Sequence, residues 1–169
     1  MTTPLRPTSR IIAIDPCPAG FGFAVLEDPT RLVDWGVAEV WSKSQRAFLA
    51  RVEALVDRYA PSLIVLENIA NSTRRKRSAQ LTSMVVRYAA SRGISVLRVQ
   101  RDQVRKAFGG NPTKHDVAVA IAAVFPELTS RLPSKRKLWE SEKEQMNVFD
   151  ALSFALTALA AMPSADTAA

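Results

Sequence analysis

The sequence contains very little cysteine and histidine. Cys17 and His115 are the single representatives of their types among 169 residues. One cysteine excludes an intrachain disulfide framework and indicates a reducing compartment. The same scarcity excludes a zinc site built from a cluster of cysteine and histidine ligands. The fold must therefore be stabilised by its own hydrophobic core.

Long hydrophobic runs are missing as well. No apolar stretch approaches the roughly 20 residues that cross a membrane. The opening segment MTTPLRPTSR has no apolar core of the kind found in signal peptides. We therefore expect a soluble, cytoplasmic protein that has no membrane partner.

Acidic residues are outnumbered by basic residues, 16 to 23, which gives a formal net charge of +7 and a pI near 10.1. A folded domain with this charge usually binds a polyanion, and nucleic acid is the first candidate. The alternative is a basic surface that serves only solubility.

Length and composition predict a single domain. The chain is 47% hydrophobic, which is typical of a globular protein, and it contains no internal repeat. We expect residues 1–9 to form a flexible arm, residues 10–162 to form one domain, and residues 163–169 to form a disordered tail.

The order of apolar runs and turn residues predicts an α/β fold. Strands at 10–15, 21–26 and 32–40 are separated by proline- and glycine-containing turns, which indicates an antiparallel meander. Helices and strands alternate in the remainder of the chain. We expect strands at 63–67 and 94–99, and helices at 45–60, 78–91, from Asp102, at 114–125 and from Asp150.

Three carboxylates lie where this fold can bring them together. Asp15 and Glu67 each end a β-branched apolar run typical of a buried strand, and Asp150 begins an apolar helix. Acids at the carboxyl ends of buried strands lie on the edge where open α/β sheets bind ligands. Clustered carboxylates require a cation, and oxygen ligands favour Mg²⁺ or Mn²⁺. The alternative is that each acid only caps its strand or helix.

The same segments resemble a known family. IIAIDPCPAGFGFAVLE is similar to the opening of the RuvC-type Holliday junction resolvases, in which a strand ends in Asp-Pro and a Gly-aromatic pair follows. Gly22 and Phe23 keep the family spacing of seven residues from Asp15. LIVLEN resembles the second acidic strand and DALSFAL the last helix, so the similarity spans about residues 10–160. It implies a ribonuclease H-like fold, with a five-stranded mixed sheet of three antiparallel-connected strands and two parallel strands, flanked by helices.

The resemblance also implies an activity. Family members are metal-dependent endonucleases that act as homodimers on Holliday junctions and use two Mg²⁺ or Mn²⁺ ions per active site. By resemblance, Asp15 bridges both ions, and Glu67 and Asp150 each bind on one side. The family usually has a fourth acid or a histidine at the position of Asn147, whose amide oxygen can coordinate a cation but adds no charge. Cys17 replaces a family glycine in the turn after Asp15. Ala70 replaces a residue that is often an aromatic wedge at the junction, which leaves strict four-way-junction specificity open.

Basic residues are concentrated after the second acid. Four consecutive cations beside Glu67 indicate phosphate binding, although a solvated charged surface is the alternative. Lys114 opens a predicted helix, where backbone N–H groups favour a phosphate, and it matches a family lysine near the scissile phosphate. Arg105 matches a family position that commonly contacts phosphate. The candidate DNA-binding residues are Arg74, Arg75, Lys76, Arg77, Arg105, Lys106 and Lys114.

Several alternatives remain open from the sequence. The apolar face around Leu81–Tyr88 fits either ordinary core packing or a two-fold dimer interface. Trp139 fits either base stacking or a small local core. The function fits a branched-DNA endonuclease, a related nuclease acting on other structured or RNA-containing substrates, or a module that binds branched DNA without cutting it.

Overall fold

A computed structural model describes residues 9–41, 44–69 and 76–162. Most of the predicted arm, and the predicted tail, lie outside these ranges. No helix among the described residues is long and apolar enough to span a bilayer. The elements are β1 (Ile11–Cys17), β2 (Gly20–Asp28), β3 (Arg31–Glu39), α1 (Gln45–Tyr59), β4 (Leu63–Glu67), α2 (Lys76–Ser91), β5 (Ser95–Val99), α3 (Arg101–Ala107), α4 (Lys114–Val124), a 3₁₀ helix (Pro126–Arg131) and α5 (Met146–Ala161).

The five strands form one mixed sheet in the order β3-β2-β1-β4-β5. β1 pairs with β2 and β2 with β3 in antiparallel fashion, whereas β4 pairs in parallel with β1 and with β5. This is the arrangement of three antiparallel-connected strands and two parallel strands that the sequence predicts. β1 lies at the centre of the sheet, so its residues are held from both sides.

Helices cover both faces of the sheet. α5 and α4 pack on one face, in a core that includes Phe149 and Phe154. α1 and α2 pack on the other face, in a core that includes Phe48 and Val85. Every residue of β1 is buried as a result, which explains its continuous apolar run. The centre of the sheet is therefore a rigid platform for any side chain at its edge.

The boundaries of two elements differ from the prediction in ways that affect the site. β1 continues to Cys17, so Asp15 lies inside the strand, paired with Gly22 of β2. The prediction that Asp150 begins the last helix is wrong, since α5 begins at Met146. Met146 is buried in the core and its N–H donates to the carbonyl of Lys143, which extends the helix backwards into the charged segment. Asp150 is thus one turn inside α5.

The apolar face of α2 is used within the chain itself. Leu81, Val85 and Tyr88 are buried in the core beneath the sheet, and Met84 packs against the same cluster. Of the two interpretations of this face, core packing is confirmed. A dimer formed through α2 would have to use its exposed residues, such as Ser83 and Arg87.

Candidate active site

The sheet and α5 bring the three predicted carboxylates together. Ile14 of β1 lies opposite Leu66 of β4 in the parallel register, so the next residues, Asp15 and Glu67, are neighbours. α5 packs across β1 and contributes Asp150 from above. The three side chains are nearly inaccessible, at 3%, 3% and 5% exposure. Buried carboxylates need compensating charge or protonation, because their desolvation is otherwise strongly unfavourable.

Two basic side chains compensate part of this charge. Arg101 donates from Nε to Glu67 Oε1 at 2.9 Å and from Nη1 to Asp150 Oδ1 at 2.8 Å. Lys114 donates from Nζ to Asp150 Oδ2 at 2.9 Å and also to Glu142. Burial alone would raise the pKa of Asp150, but Arg101 and Lys114 together hold it below its usual value. Asp150 is therefore ionised and bound by cations on both oxygens.

Asp15 is in a different state. Its Oδ1 atom is buried and has no hydrogen-bond partner among the described residues. Burial, followed by the negative charge of Asp150, raises the pKa of Asp15 to about 8. An orphaned carboxylate oxygen beside further carboxylates is a site that a cation would satisfy, and an all-oxygen donor set suits Mg²⁺ or Mn²⁺. The residues present therefore fit a hard divalent ion.

The carboxylates do not converge as closely as bound metal requires. Within the described residues, no three His, Cys, Asp or Glu side chains are grouped so that they could hold a metal ion. The guanidinium group of Arg101 bonds to both Glu67 and Asp150 and so lies between them. Arg101 is not among the site residues predicted from the sequence. A signal was present, since Arg101 lies two residues after the end of β5, and parallel strands end at the same edge of a sheet.

A cavity of about 490 Å³ opens over these groups. Asn147, the predicted fourth ligand, is half-buried on the same turn of α5 as Asp150, and both line this cavity. Arg77 lines it from the start of α2. The structure therefore brings together Asp15, Asp150, Asn147, Lys114 and Arg77, with Glu67 buried beside them.

The other predicted cations are distributed more widely. Arg105 is exposed, pairs with Asp102 and lines a neighbouring cavity of about 310 Å³ that also includes Arg101, Lys114 and Asp150. Lys76 and Lys106 are exposed and do not line the 490 Å³ cavity. Arg74, Arg75 and Ala70 lie outside the described residues.

The start of α4 positions Lys114. Thr113 caps the helix by accepting from the backbone N–H of Asp116, and the Asp116 carboxylate accepts in return from the Thr113 N–H. Hydrogen bonds from Thr113 lower the pKa of Asp116, so the cap is a charged one. Because this reciprocal box fixes the first turn, Lys114 extends from a rigid base toward Asp150.

Two residues singled out in the sequence have clear environments. Cys17 is buried, and burial raises the pKa of its thiol, so it is not poised as a nucleophile. Trp139 is 79% exposed, with the Lys137 ammonium 5.5 Å from its ring centre. Trp139 therefore does not form a local core, which leaves base stacking as the open interpretation.

No protein-family model and no curated protein sequence matches this chain. Its fold is nevertheless similar to solved structures. Thermus thermophilus RuvC is 19% identical, with a TM-score of 0.62 over 88% of this chain and 92% of that one. T. thermophilus RuvC in complex with Holliday junction substrate is 22% identical, with a TM-score of 0.65 over 90% and 94% of the two chains. The yeast mitochondrial Holliday junction resolvase Ydc2 is 15% identical, with a TM-score of 0.55 over 93% and 80%. These similarities confirm the predicted ribonuclease H-like fold.

Proposed function

We propose that this protein is a metal-dependent endonuclease that resolves Holliday junctions or other branched DNA. The observation that carries the proposal is the burial of Asp15, Glu67 and Asp150 together at one edge of a ribonuclease H-like sheet. The net charge of +7 supports a polyanionic substrate. Solved structures with a similar fold include T. thermophilus RuvC in complex with Holliday junction substrate and the yeast mitochondrial Holliday junction resolvase Ydc2.

Asp15, Glu67, Asp150 and Asn147 are the residues that would hold Mg²⁺ or Mn²⁺, with two ions per active site. Such ions, when bound, lower the pKa of an attacking water and neutralise the leaving oxygen of a phosphodiester. Asp15 Oδ1 supports this assignment, because it is a buried carboxylate oxygen that has no hydrogen-bond partner among the described residues.

Lys114 and the surrounding cations have a separate task. Lys114 reaches the carboxylates from the fixed first turn of α4, so its ammonium group can bind the scissile phosphate and stabilise charge that develops there. Arg77 and Arg105 line the two adjoining cavities and can bind flanking phosphates. A homodimer would present two such sites to opposite strands of one junction.

A cleavage panel tests the proposal. Four-way junction, fork, linear duplex and RNA–DNA hybrid of matched length are incubated with the protein in Mg²⁺, in Mn²⁺ or in chelator. We expect paired cuts in the four-way junction that require either ion. Cleavage of the hybrid alone would favour the nuclease on RNA-containing substrates, and tight junction binding without cutting would favour the binding module.

The basic run gives a second prediction. Replacing Arg74, Arg75, Lys76 and Arg77 with serine removes up to four phosphate contacts, which would flatten the slope of log K against log salt by up to about 3.6 units. A charged run seldom places every cation against a phosphate, and Lys76 does not line the cavity, so we expect about two productive contacts and a change of about two units. Junction affinity is measured from low to high salt by fluorescence anisotropy.

The matched control for the basic run replaces Arg31 and Arg58 with serine. Arg31 begins β3, the edge strand on the opposite side of the sheet from β5, and Arg58 lies in the last turn of α1. Their loss is expected to leave the salt slope within experimental error. If the variant with serine at residues 74–77 also keeps the wild-type salt slope, those four cations are only a solvated surface.

Asn147 provides a third prediction. Because Asn147 lines the cavity with Asp15 and Asp150, Asn147→Asp should lower the Mg²⁺ concentration that gives half-maximal cleavage. In the metal-free protein the same change should reduce stability, since it adds a carboxylate beside a group that is already unsatisfied. Asn111→Asp, which adds the same charge in the neighbouring cavity, is the control. Identical Mg²⁺ titrations for wild type and Asn147→Asp would place residue 147 outside the metal ligands.

A further inference from the structure

Arg101 is the most enclosed cation of the site. Its guanidinium group makes three hydrogen bonds to carboxylates, one to Glu67 and two to Asp150, the longest of 3.3 Å. The Cζ atom of Arg101 lies over the ring of Phe154, 4.8 Å from the ring centroid. Only 27% of the side chain is exposed. A planar guanidinium held by two acids and an aromatic ring is in a specific, oriented position.

The backbone that carries Arg101 is also anchored. Arg101 is the first residue of α3, and the Gln103 side chain accepts from the N–H of Gln100 immediately before it. Val104, one turn later, is buried in the core. Arg101 therefore reaches the carboxylates from a fixed origin, and a change in its contacts requires only rotation of its side chain.

We propose that Arg101 is a resident cation that neutralises Glu67 and Asp150 in the metal-free protein and must release them before they bind metal. The inference rests on the proposed metal site. Glu67 Oε1 and both carboxylate oxygens of Asp150 accept hydrogen bonds from Arg101. A carboxylate oxygen that accepts a short charge-assisted hydrogen bond from Arg101 cannot at the same time approach a metal ion that repels the guanidinium charge. Arg101 is thus a positioning residue that lowers the affinity of the site for divalent ions.

The arrangement also indicates the order in which the carboxylates become available to metal. Asp15 is not among the hydrogen-bond acceptors of Arg101, and its Oδ1 is unpartnered among the described residues. The position beside Asp15 is therefore open in the metal-free protein, whereas the position between Glu67 and Asp150 is closed. Arg101 also lines the 490 Å³ cavity, so its released guanidinium group lies where a DNA phosphate can accept it. DNA binding should then favour release.

The direction of one measurement separates this role from a merely structural ion pair. If Arg101 only held the carboxylates in place, its removal would loosen them and weaken metal binding. If Arg101 competes with metal, its removal strengthens metal binding although the metal-free protein becomes less stable, because buried charges lose their partner. The two roles therefore predict opposite changes in affinity.

The test is Mn²⁺ binding to the full chain without DNA, measured by calorimetry and by the spin-resonance signal of free Mn²⁺. Arg101→Gln should bind Mn²⁺ roughly tenfold more tightly than wild type, and Arg101→Lys should fall between them. Arg92→Gln, which removes the ion pair with Asp57 at the far end of α2, should match wild type. The melting temperature measured with chelator should be lowest for Arg101→Gln. Addition of Mn²⁺ should raise the melting temperature of that variant more than that of the other proteins.

Mn²⁺ affinity of Arg101→Gln equal to or weaker than wild type would overturn the inference, as would the failure of all variants to bind Mn²⁺. If Arg101→Gln does not fold, Arg101→Lys decides: tighter binding than wild type supports the competition, and equal or weaker binding rejects it. Cleavage is not part of this measurement. A protein that shows the competition but cuts none of the DNA substrates would refute the proposed function and leave the role of Arg101 intact.

Discussion

Asp15→Asn is expected to abolish DNA cleavage and to leave junction binding intact. The substitution keeps the shape of the side chain at the centre of the sheet but removes the carboxylate that is free to accept a metal ion. We expect the single-turnover rate to fall by roughly 10³-fold or more, since several kcal/mol of transition-state charge stabilisation are lost. Junction affinity depends mainly on lysine and arginine contacts to phosphate, which remain.

The control for this variant is Asp28→Asn. Asp28 is the exposed last residue of β2, and the Asp28→Asn protein should cleave as wild type does. Rates are measured at saturating protein with Mg²⁺ and with Mn²⁺, and affinities with Ca²⁺ or chelator. Wild-type cleavage by Asp15→Asn would refute the metal-dependent mechanism on these carboxylates.

Asp15→Asn, which should lose activity, is expected to gain stability at high pH. The pKa of Asp15 is raised from 3.8 to about 8 by burial and by Asp150, so the folded state binds the proton more tightly than the unfolded state. Stability from this group is complete below about pH 4 and is lost as pH rises toward 8. Asparagine does not ionise. In chelator, Asp15→Asn should therefore be more stable than wild type at pH 8 and similar to it near pH 4.

Chemical denaturation across this pH range measures the difference. Asp28 supplies a control of opposite sign, because hydrogen bonds from Thr30 lower its pKa. Asp28→Asn should therefore lower stability at pH 8 rather than raise it. If the stabilities of wild type and Asp15→Asn change in parallel with pH, the pKa of Asp15 is not raised in the metal-free folded protein.

The second large effect is expected from Gly22→Ala. Gly22 faces the first turn of α5, where an added Cβ would lie 2.7 Å from the Asn147 Cβ and closer still to the Asn147 carbonyl group. Backbone cannot yield as a flexible side chain can, so α5 has to move away from the sheet. We expect a loss of about 3 kcal/mol in the free energy of unfolding, at the upper end of overpacking effects. Asp150 and Asn147 move with α5, so Mn²⁺ affinity should fall as well.

Gly36→Ala is the matched control, because it places the same methyl group on the neighbouring strand. Its Cβ would meet only the edge of the Phe23 ring, at 3.3 Å, and a side chain can shift by that amount. We expect a change within about 1 kcal/mol. Equal stability of the two variants would show that α5 does not need the close approach at Gly22.

Gly22 shows that a local sequence pattern can have a cause that is distant in the chain. The Gly-aromatic pair marked the family resemblance, but its physical reason is a contact with residue 147, far away in the chain. The family resemblance identified the Asn147 amide as a possible ligand, and the structure places it in the same cavity as Asp150. The predicted start of α5 was wrong, because the charged residues before Asp150 show no helical periodicity. The first turn is held by Met146, which is buried against core residues that are distant in the sequence.

The sequence by itself predicted the mixed sheet and the three buried carboxylates. These features depend on local patterns, namely β-branched apolar runs with an acid at the end and an apolar helix that carries the third acid. Only the tertiary structure placed Arg101 between Glu67 and Asp150, across separations of 34 and 49 residues. The sequence alone does not show which of the acidic residues pairs with a basic residue near a strand end. Which of them it neutralises is decided by strand register and helix packing, because charges interact through space at distances that only the folded chain defines.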